Sequence, residues 1–167
     1  NPYLFIPTDA YAVLRHSLDK HFPSLSGKML FAIGYIGGRT SALTMMQKFG
    51  IKKENIPDII AGVTQDGFAK YYLNYLHVTS NHAQGEIIGE NAVLSKSYIM
   101  KYGLGTHSID DYILGAFVAG SELIFKINVE GVETDCMAKG DTCCRFHLKN
   151  ATKSTESMLK EILPDYS

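Results

Sequence analysis

Cysteine is scarce in this chain, neither sign of charge is in excess, and no stretch is apolar enough for long enough to cross a bilayer. Three cysteines among 167 residues are too few, and odd in number, for the disulfide framework of a small secreted protein. They agree with a reducing compartment, and the cytoplasm is the expected location. A formal net charge of −1 leaves no basic footprint for nucleic acid, and no lysine or arginine stripe hides inside that balance. No run approaches the roughly 18 consecutive apolar residues of a membrane span, and the N-terminus lacks the basic-then-apolar plan of a signal peptide. Catalytic signatures are missing as well. There is no nucleophile with a paired base, no dinucleotide fingerprint, and the glycines of "GYIGGRTSA" have neither the spacing nor the lysine of a phosphate loop. Nothing carries reducing power, since no flavin or nicotinamide signature is visible, and these absences together point away from an enzyme.

What is present describes one ordinary globular domain over residues 1–167, with 46% hydrophobic and 20% charged residues. The chain starts at Asn1 rather than methionine, which suits excision from a longer chain carrying an effector. Thr8 or Asp9 is placed to cap a first helix, whose Tyr11, Leu14, Leu18 and Phe22 recur at helical spacing before Pro23 stops it. A second helix is expected over residues 26–49, ended by Gly50. Its Gly34, Gly37, Gly38 and Ala42 weaken it by about 1 kcal/mol per glycine, so a close helix crossing or a dimer contact should compensate. Gly37 is the position at which a leucine is expected to break that contact.

Pro57 suits the first turn of a third helix carrying Ile59, Ile60, Val63 and Phe68. "YYLNYLHVTSN" reads as a strand, with Tyr72, Asn74 and Leu76 alternating against Leu73, Tyr75 and His77; "GEIIGENAVLSKSYI" reads as another strand or two. Ser108-Ile109-Asp110-Asp111 matches a capping box before a helix with Ile109, Tyr112, Ile113, Ala116, Gly120, Leu123 and Ile124 on one face. "LIFKINVEGVE" and "CCRFHLKN" then form a hairpin turned at Gly140, and residues 152–163 form a short amphipathic helix ended by Pro164. The sum is an α+β domain with a mainly antiparallel sheet.

All three cysteines fall in "VETDCMAKGDTCC", on that hairpin. Side chains alternate across a strand, so Cys144, Phe146 and Leu148 share the apolar face while Cys143, Arg145 and His147 share the other. By the same parity Glu133 lies with Ile127 and Val129, facing the interior. A buried carboxylate without a partner costs several kcal/mol or takes up a proton, and a divalent cation removes that cost. Zinc accepts thiolate and carboxylate together, which makes Glu133, Cys136 and Cys144 candidate ligands. Cys136 has the wrong parity for a regular strand, so a bulge or the start of the turn would have to re-aim it. Free buried cysteines, a disulfide from Cys136 to Cys143 or Cys144, or a Glu133 at an exposed strand end fit the spacing too.

The pattern Val132-Glu133-x2-Cys136-x3-Gly140-x3-Cys144-x-Phe146, preceded by a helix carrying "GAFVAG", resembles the 4-vinyl reductase domain, specifically over about residues 103–148. That domain occurs alone, in a bacteriochlorophyll biosynthesis protein, and as the sensory part of phenol- and xylene-responsive activators. The resemblance implies a fold like that of Bet3-type (TRAPP) trafficking subunits, helices on a four-stranded antiparallel sheet, and a homodimer. It implies zinc held by Glu133, Cys136 and Cys144 plus a residue at the start of the preceding helix. The family's cysteine is missing there; Asp110, His107 or Asp111 could complete the shell, or water could, which would open hydrolytic chemistry. Asp110 and Asp111 serve equally as helix N-terminal charges. With four protein ligands the zinc would be structural.

Aromatic residues are plentiful, and a cavity lined by rings and a few polar groups is the usual form of a small-molecule site. Tyr35, Tyr75, Tyr112 and Phe117 are candidate ring contacts and His77 a candidate hydrogen-bond partner, although aromatics at such spacing are ordinarily core. The leading expectation is therefore a sensory or regulatory domain that binds a small apolar or aromatic molecule. A dimeric scaffold with a filled core comes next, and an enzyme or accessory of tetrapyrrole metabolism third.

Overall fold

A computed structural model describes residues 7–50, 55, 67–79 and 81–165. Helix α1 (Thr8–His21) and helix α2 (Ser26–Phe49) come first, and Gly50 ends α2 in the left-handed conformation, φ 61°. The end caps of α1 differ from expectation. Its N-cap is Pro7, and Asp9 accepts a hydrogen bond from Ser97 Oγ at 2.8 Å instead of closing its own helix. The helix expected from Pro57 lies outside the described residues.

Strand β1 (Lys70–Val78) pairs antiparallel with β2 (Ala83–Glu90). The simple alternation expected along β1 breaks at Asn74, where a bulge inserts an extra residue between Leu73 and Tyr75. Tyr71, Leu73 and Leu76 consequently face the helices, whereas Tyr72, Asn74, Tyr75 and His77 are exposed. The second half of "GEIIGENAVLSKSYI" is a helix, α3 (Val93–Tyr102), and not a strand. Asn91, at φ 59°, turns the chain out of β2, and Leu94, Ser95 and Tyr98 then recur at helical spacing and are buried.

Helix α4 (Asp111–Phe125) is the centre of the molecule. It is buried on two sides, so one apolar face was only half of its pattern: Leu114, Phe117 and Val118 are buried alongside Ile113, Gly115 and Ala119. Its contact with α2 is a backbone crossing. A methyl on Gly34 would collide with the Tyr112 carbonyl, one on Gly38 with the Ala116 backbone, and one on Gly115 with the Phe31 carbonyl. Gly37 is not part of it, since its nearest neighbour is the Tyr112 hydroxyl at 3.7 Å. Glu122 fastens the far end by accepting from Tyr35 Oη at 2.6 Å, Thr155 Oγ1 at 2.9 Å and the Val129 amide at 3.1 Å.

The helix runs through Leu123–Phe125, residues expected in a strand, until Lys126 turns the chain at φ 57°. Strand β3 (Val129–Asp135), a short 3-10 turn (Met137–Lys139) and β4 (Cys144–Asn150) form the expected hairpin, with Gly140 at φ 100°. Helix α5 (Thr155–Ile162) follows, capped by Ser154, which accepts from the Ser157 amide at 3.1 Å. The sheet order is β1-β2-β4-β3 with every neighbouring pair antiparallel. The fold is α+β, helices on one face of a four-stranded antiparallel sheet. On the other face Glu86 gathers Arg145 at 2.7 Å, Asn74 at 2.6 Å and His147 at 3.2 Å.

Candidate metal centre

Parity along β4 puts Cys144, Phe146 and Leu148 inside, all buried, and leaves Cys143, Arg145 and His147 partly exposed. On β3, Val129 and Glu133 face the same interior. The register of β3 against β4 shifts between Glu133 and Asp135. That extra residue reverses the parity of the positions after it, so Cys136 turns inward and is fully buried. The turn then wraps its sulfur neighbour: the Met137 amide points at Cys144 Sγ, 3.4 Å away, and the Cys136 amide donates to Asp141 Oδ2 at 2.8 Å.

The fourth member comes from the segment before α4. Tyr11 Oη and Arg15 Nη1 both donate to the Ile109 carbonyl, at 2.9 and 3.3 Å, and Arg15 Nη2 donates to the Ser108 carbonyl at 3.1 Å. This clamp presents Asp110, the N-cap residue, to the hairpin. The expected capping box does not form. Ser108 Oγ donates to the Glu133 carbonyl at 3.3 Å, and the Asp110 carboxylate accepts from Ser95 Oγ at 2.9 Å and Cys144 Sγ at 3.1 Å. His107 and Asp111 are drawn away from the hairpin, His107 to Asp19 at 3.0 Å and Asp111 to the Arg15 guanidinium.

One donor atom from each of Asp110, Glu133, Cys136 and Cys144 lies within 4.8 Å of the other three, and all four residues are buried. Glu133 Oε2 accepts the Asp110 amide at 3.1 Å, whereas Glu133 Oε1 and Asp110 Oδ1 are buried with no hydrogen-bond partner. Two orphaned carboxyl oxygens beside two sulfurs are what a soft-to-borderline divalent cation satisfies, so the donor set fits zinc. The electrostatics agree. Burial, then the charges of Asp110 and Cys136, push the Glu133 carboxyl up to about 11, and burial with the Cys136 charge raises Asp110 to about 7. The Cys144 thiol has one proton and two acceptors in reach, Asp110 Oδ2 and Cys136. Its hydrogen bond lowers Cys136 to about 5, while Cys144 itself is held up.

Sequence reasoning missed Ser95, because a serine inside an expected strand carries no ligand signature. Three of the candidate ring contacts lie among the helices. Tyr35 is fully buried and bound to Glu122, Tyr112 packs edge-on to Tyr11 at 6.4 Å, and Phe117 meets Tyr71 at 5.2 Å and Phe146 at 5.3 Å. Tyr75 and His77 stand on the opposite face of the sheet, moved there by the Asn74 bulge, so the five do not line one cavity. A cavity of about 30 Å³ lies between the sheet and the last turns of α4, with Leu73, Leu76, Ile87, Ser121, Phe125 and Leu148 in its wall. No helix among the described residues is long and apolar enough to cross a membrane.

No family model matches the chain, and no curated protein matches it in sequence. Solved structures do share its fold. The phenol-responsive sensory domain of the transcription activator PoxR, solved with phenol, superposes at a TM-score of 0.81 over 100% of this chain and 86% of that one, at 13% identity. A vinyl-4-reductase family protein from Methanocaldococcus jannaschii gives 0.57 over 89% and 84%, at 17% identity. Subunit 3 of a trafficking protein particle complex from Naegleria fowleri, covalently bound to palmitic acid, gives 0.54 over 88% and 96%, at 13% identity. At these identities the likeness is one of fold.

Proposed function

We propose that this domain is a sensory or regulatory module that binds a small apolar or aromatic molecule, with a structural zinc site pinning its C-terminal hairpin to the helices. The observation that carries the proposal is the buried convergence of Asp110, Glu133, Cys136 and Cys144 with two oxygens lacking any other partner. Four protein donors fill a tetrahedral shell, which suits a structural role and leaves no coordination position for substrate. The full-length fold likeness to a sensory domain solved with phenol supports an aromatic ligand.

Tyr112 and Phe117 are the ring contacts we assign, because they stand on α4 between α2 and the sheet. The cavity of about 30 Å³ whose wall includes Ser121, one turn beyond Phe117, is lined by neither ring and has room for little more than a water, so an aromatic ring enters that space only if α4 shifts against the sheet. A ligand that selects the shifted arrangement is what a sensor requires. The proposal includes a homodimer, for which Val13, Leu14, Ile33 and Leu43 offer exposed apolar surface on α1 and α2.

A second reading, a dimeric scaffold with a filled core, is favoured by the edge-to-face packing of Tyr71, Phe117 and Phe146 directly under the hairpin. Native mass spectrometry of protein purified without added metal, followed by a phenol titration monitored through tyrosine fluorescence, separates the two. One zinc per chain with saturable phenol uptake supports the sensor. Zinc without uptake favours the scaffold, and neither zinc nor uptake contradicts both.

A further inference from the structure

Ser95 stands at the centre of the four donors without being one of them. It lies in the first turn of α3 and is fully buried. Its Oγ donates to Asp110 Oδ2 at 2.9 Å and lies 3.5 Å from Cys136 Sγ and 3.6 Å from Cys144 Sγ. Hydroxyls inside a helix commonly return their proton to the carbonyl four residues back, as Thr40 and Thr44 do on α2 at 3.0 and 2.9 Å. Ser95 spends its proton on a carboxylate from another element instead.

We infer that Ser95 is a positioning residue of the metal centre, an inference that rests on the zinc site proposed above. A hydroxyl has one proton and two lone pairs. With its proton on Asp110 Oδ2, the oxygen that also faces Cys144 Sγ at 3.1 Å, Ser95 fixes the rotation of the carboxylate and leaves Oδ1 without a partner. The same Oγ touches both sulfurs and so fixes their separation from the carboxylate. Outer partners of this kind set ligand orientation, and their loss commonly weakens metal affinity by about 10- to 100-fold. Ser95 also brings a third element into the centre. Helix α3 is held at Ser97 by Asp9 of α1, and the Gly105 amide just beyond it donates to the Ala138 carbonyl of the hairpin turn at 2.8 Å.

A serine that merely fills the core would matter to stability and not to the metal. Wild type, Ser95→Ala and Ser95→Cys, each stripped of metal, are therefore titrated with cobalt(II) while the visible spectrum is recorded, and the melting temperature of each protein is measured metal-free and with cobalt bound. Wild type should give sulfur-to-cobalt charge-transfer absorption. S95A should bind cobalt about 10- to 100-fold more weakly with shifted ligand-field bands, and should lose more melting temperature with cobalt bound than it loses metal-free. S95C should gain charge-transfer intensity over wild type, because a third sulfur replaces the hydroxyl. Wild-type affinity and spectrum in S95A, or a wild-type spectrum in S95C should S95A not fold, overturn the positioning role alone. Failure of the wild type to bind cobalt removes the metal site and this inference with it.

Discussion

Glu133 brings two oxygens into the interior, and only Oε2 has a hydrogen-bond donor, the Asp110 amide. Without a cation the carboxyl keeps its proton, since burial and the neighbouring Asp110 and Cys136 charges raise it from 4.5 to about 11. The unfolded chain gives that proton up near the ordinary glutamate value. The folded, metal-stripped protein therefore holds a proton the unfolded chain lacks, and its stability declines as pH rises through this window. Asp110, raised from 3.8 to about 7, has the same sign. Cys136, lowered to about 5, has the opposite sign and offsets Glu133 once Asp110 has ionised. In chelator, the melting temperature should therefore fall between about pH 5 and pH 7 and then level off, whereas with zinc it should hold or rise, because metal binding releases the protons. A chelated protein that grows more stable over that range contradicts the burial of both acids. The sulfurs give a sharper contrast. Cys144→Ser should release the metal and cost several kcal/mol, whereas Cys143→Ser, on the half-buried outer parity, should change stability by no more than about 0.5 kcal/mol. Paired thermal melts with metal analysis check this, and equal effects would mean the inward and outward assignments are wrong.

Among the elements, the α2–α4 crossing depends on Gly34, Gly38 and Gly115, where backbone meets backbone. Gly34→Ala should destabilise by about 3 kcal/mol, since the new methyl would strike a carbonyl that cannot yield without moving the helix. Gly37→Ala should instead stabilise by up to about 1 kcal/mol through helix propensity, because a methyl there would meet only the Tyr112 hydroxyl, at an ordinary contact distance of 3.7 Å. Denaturant melts of the two variants decide it; similar losses would place Gly37 in a contact, for example between protomers. The small-residue stripe was legible in the sequence as a close crossing, but the rotation that selects Gly34 over Gly37 depends on Tyr112 and Ala116 of the partner helix. Other limits were local. The Asn74 bulge flips β1 by one residue and sends Tyr75 and His77 to the far face, and nothing in "YYLNYLHV" announces it. Helix α3 hides behind Ile87, Ile88 and a left-handed Asn91, which made one continuous apolar stretch out of a strand and a helix. The hairpin was legible because its parity rule needs only neighbouring residues; the Cys136 exception left a bulge or the start of the turn open, and the register shift after Glu133 makes it a bulge.

At the scale of the whole molecule, three separate parts of the chain meet at one buried point: Ser95 from α3, Asp110 from the entry to α4, and Glu133, Cys136 and Cys144 from the hairpin. The tip of the hairpin sets Cys136 and Ala138, both fully buried, and part of Met137 against the core beside that point. The choice of Asp110 over His107 and Asp111 was beyond sequence spacing, because it is made by Arg15 and Asp19 of α1, some ninety residues upstream, which occupy the other two. On the reading proposed above, a cation joins these three parts. Zinc-edge X-ray absorption of protein purified without added metal tests it most directly. One zinc per chain is predicted, with two sulfurs at about 2.3 Å and two oxygens at about 2.0 Å. A protein that carries no metal, or a metal whose first shell contains no sulfur, would contradict it.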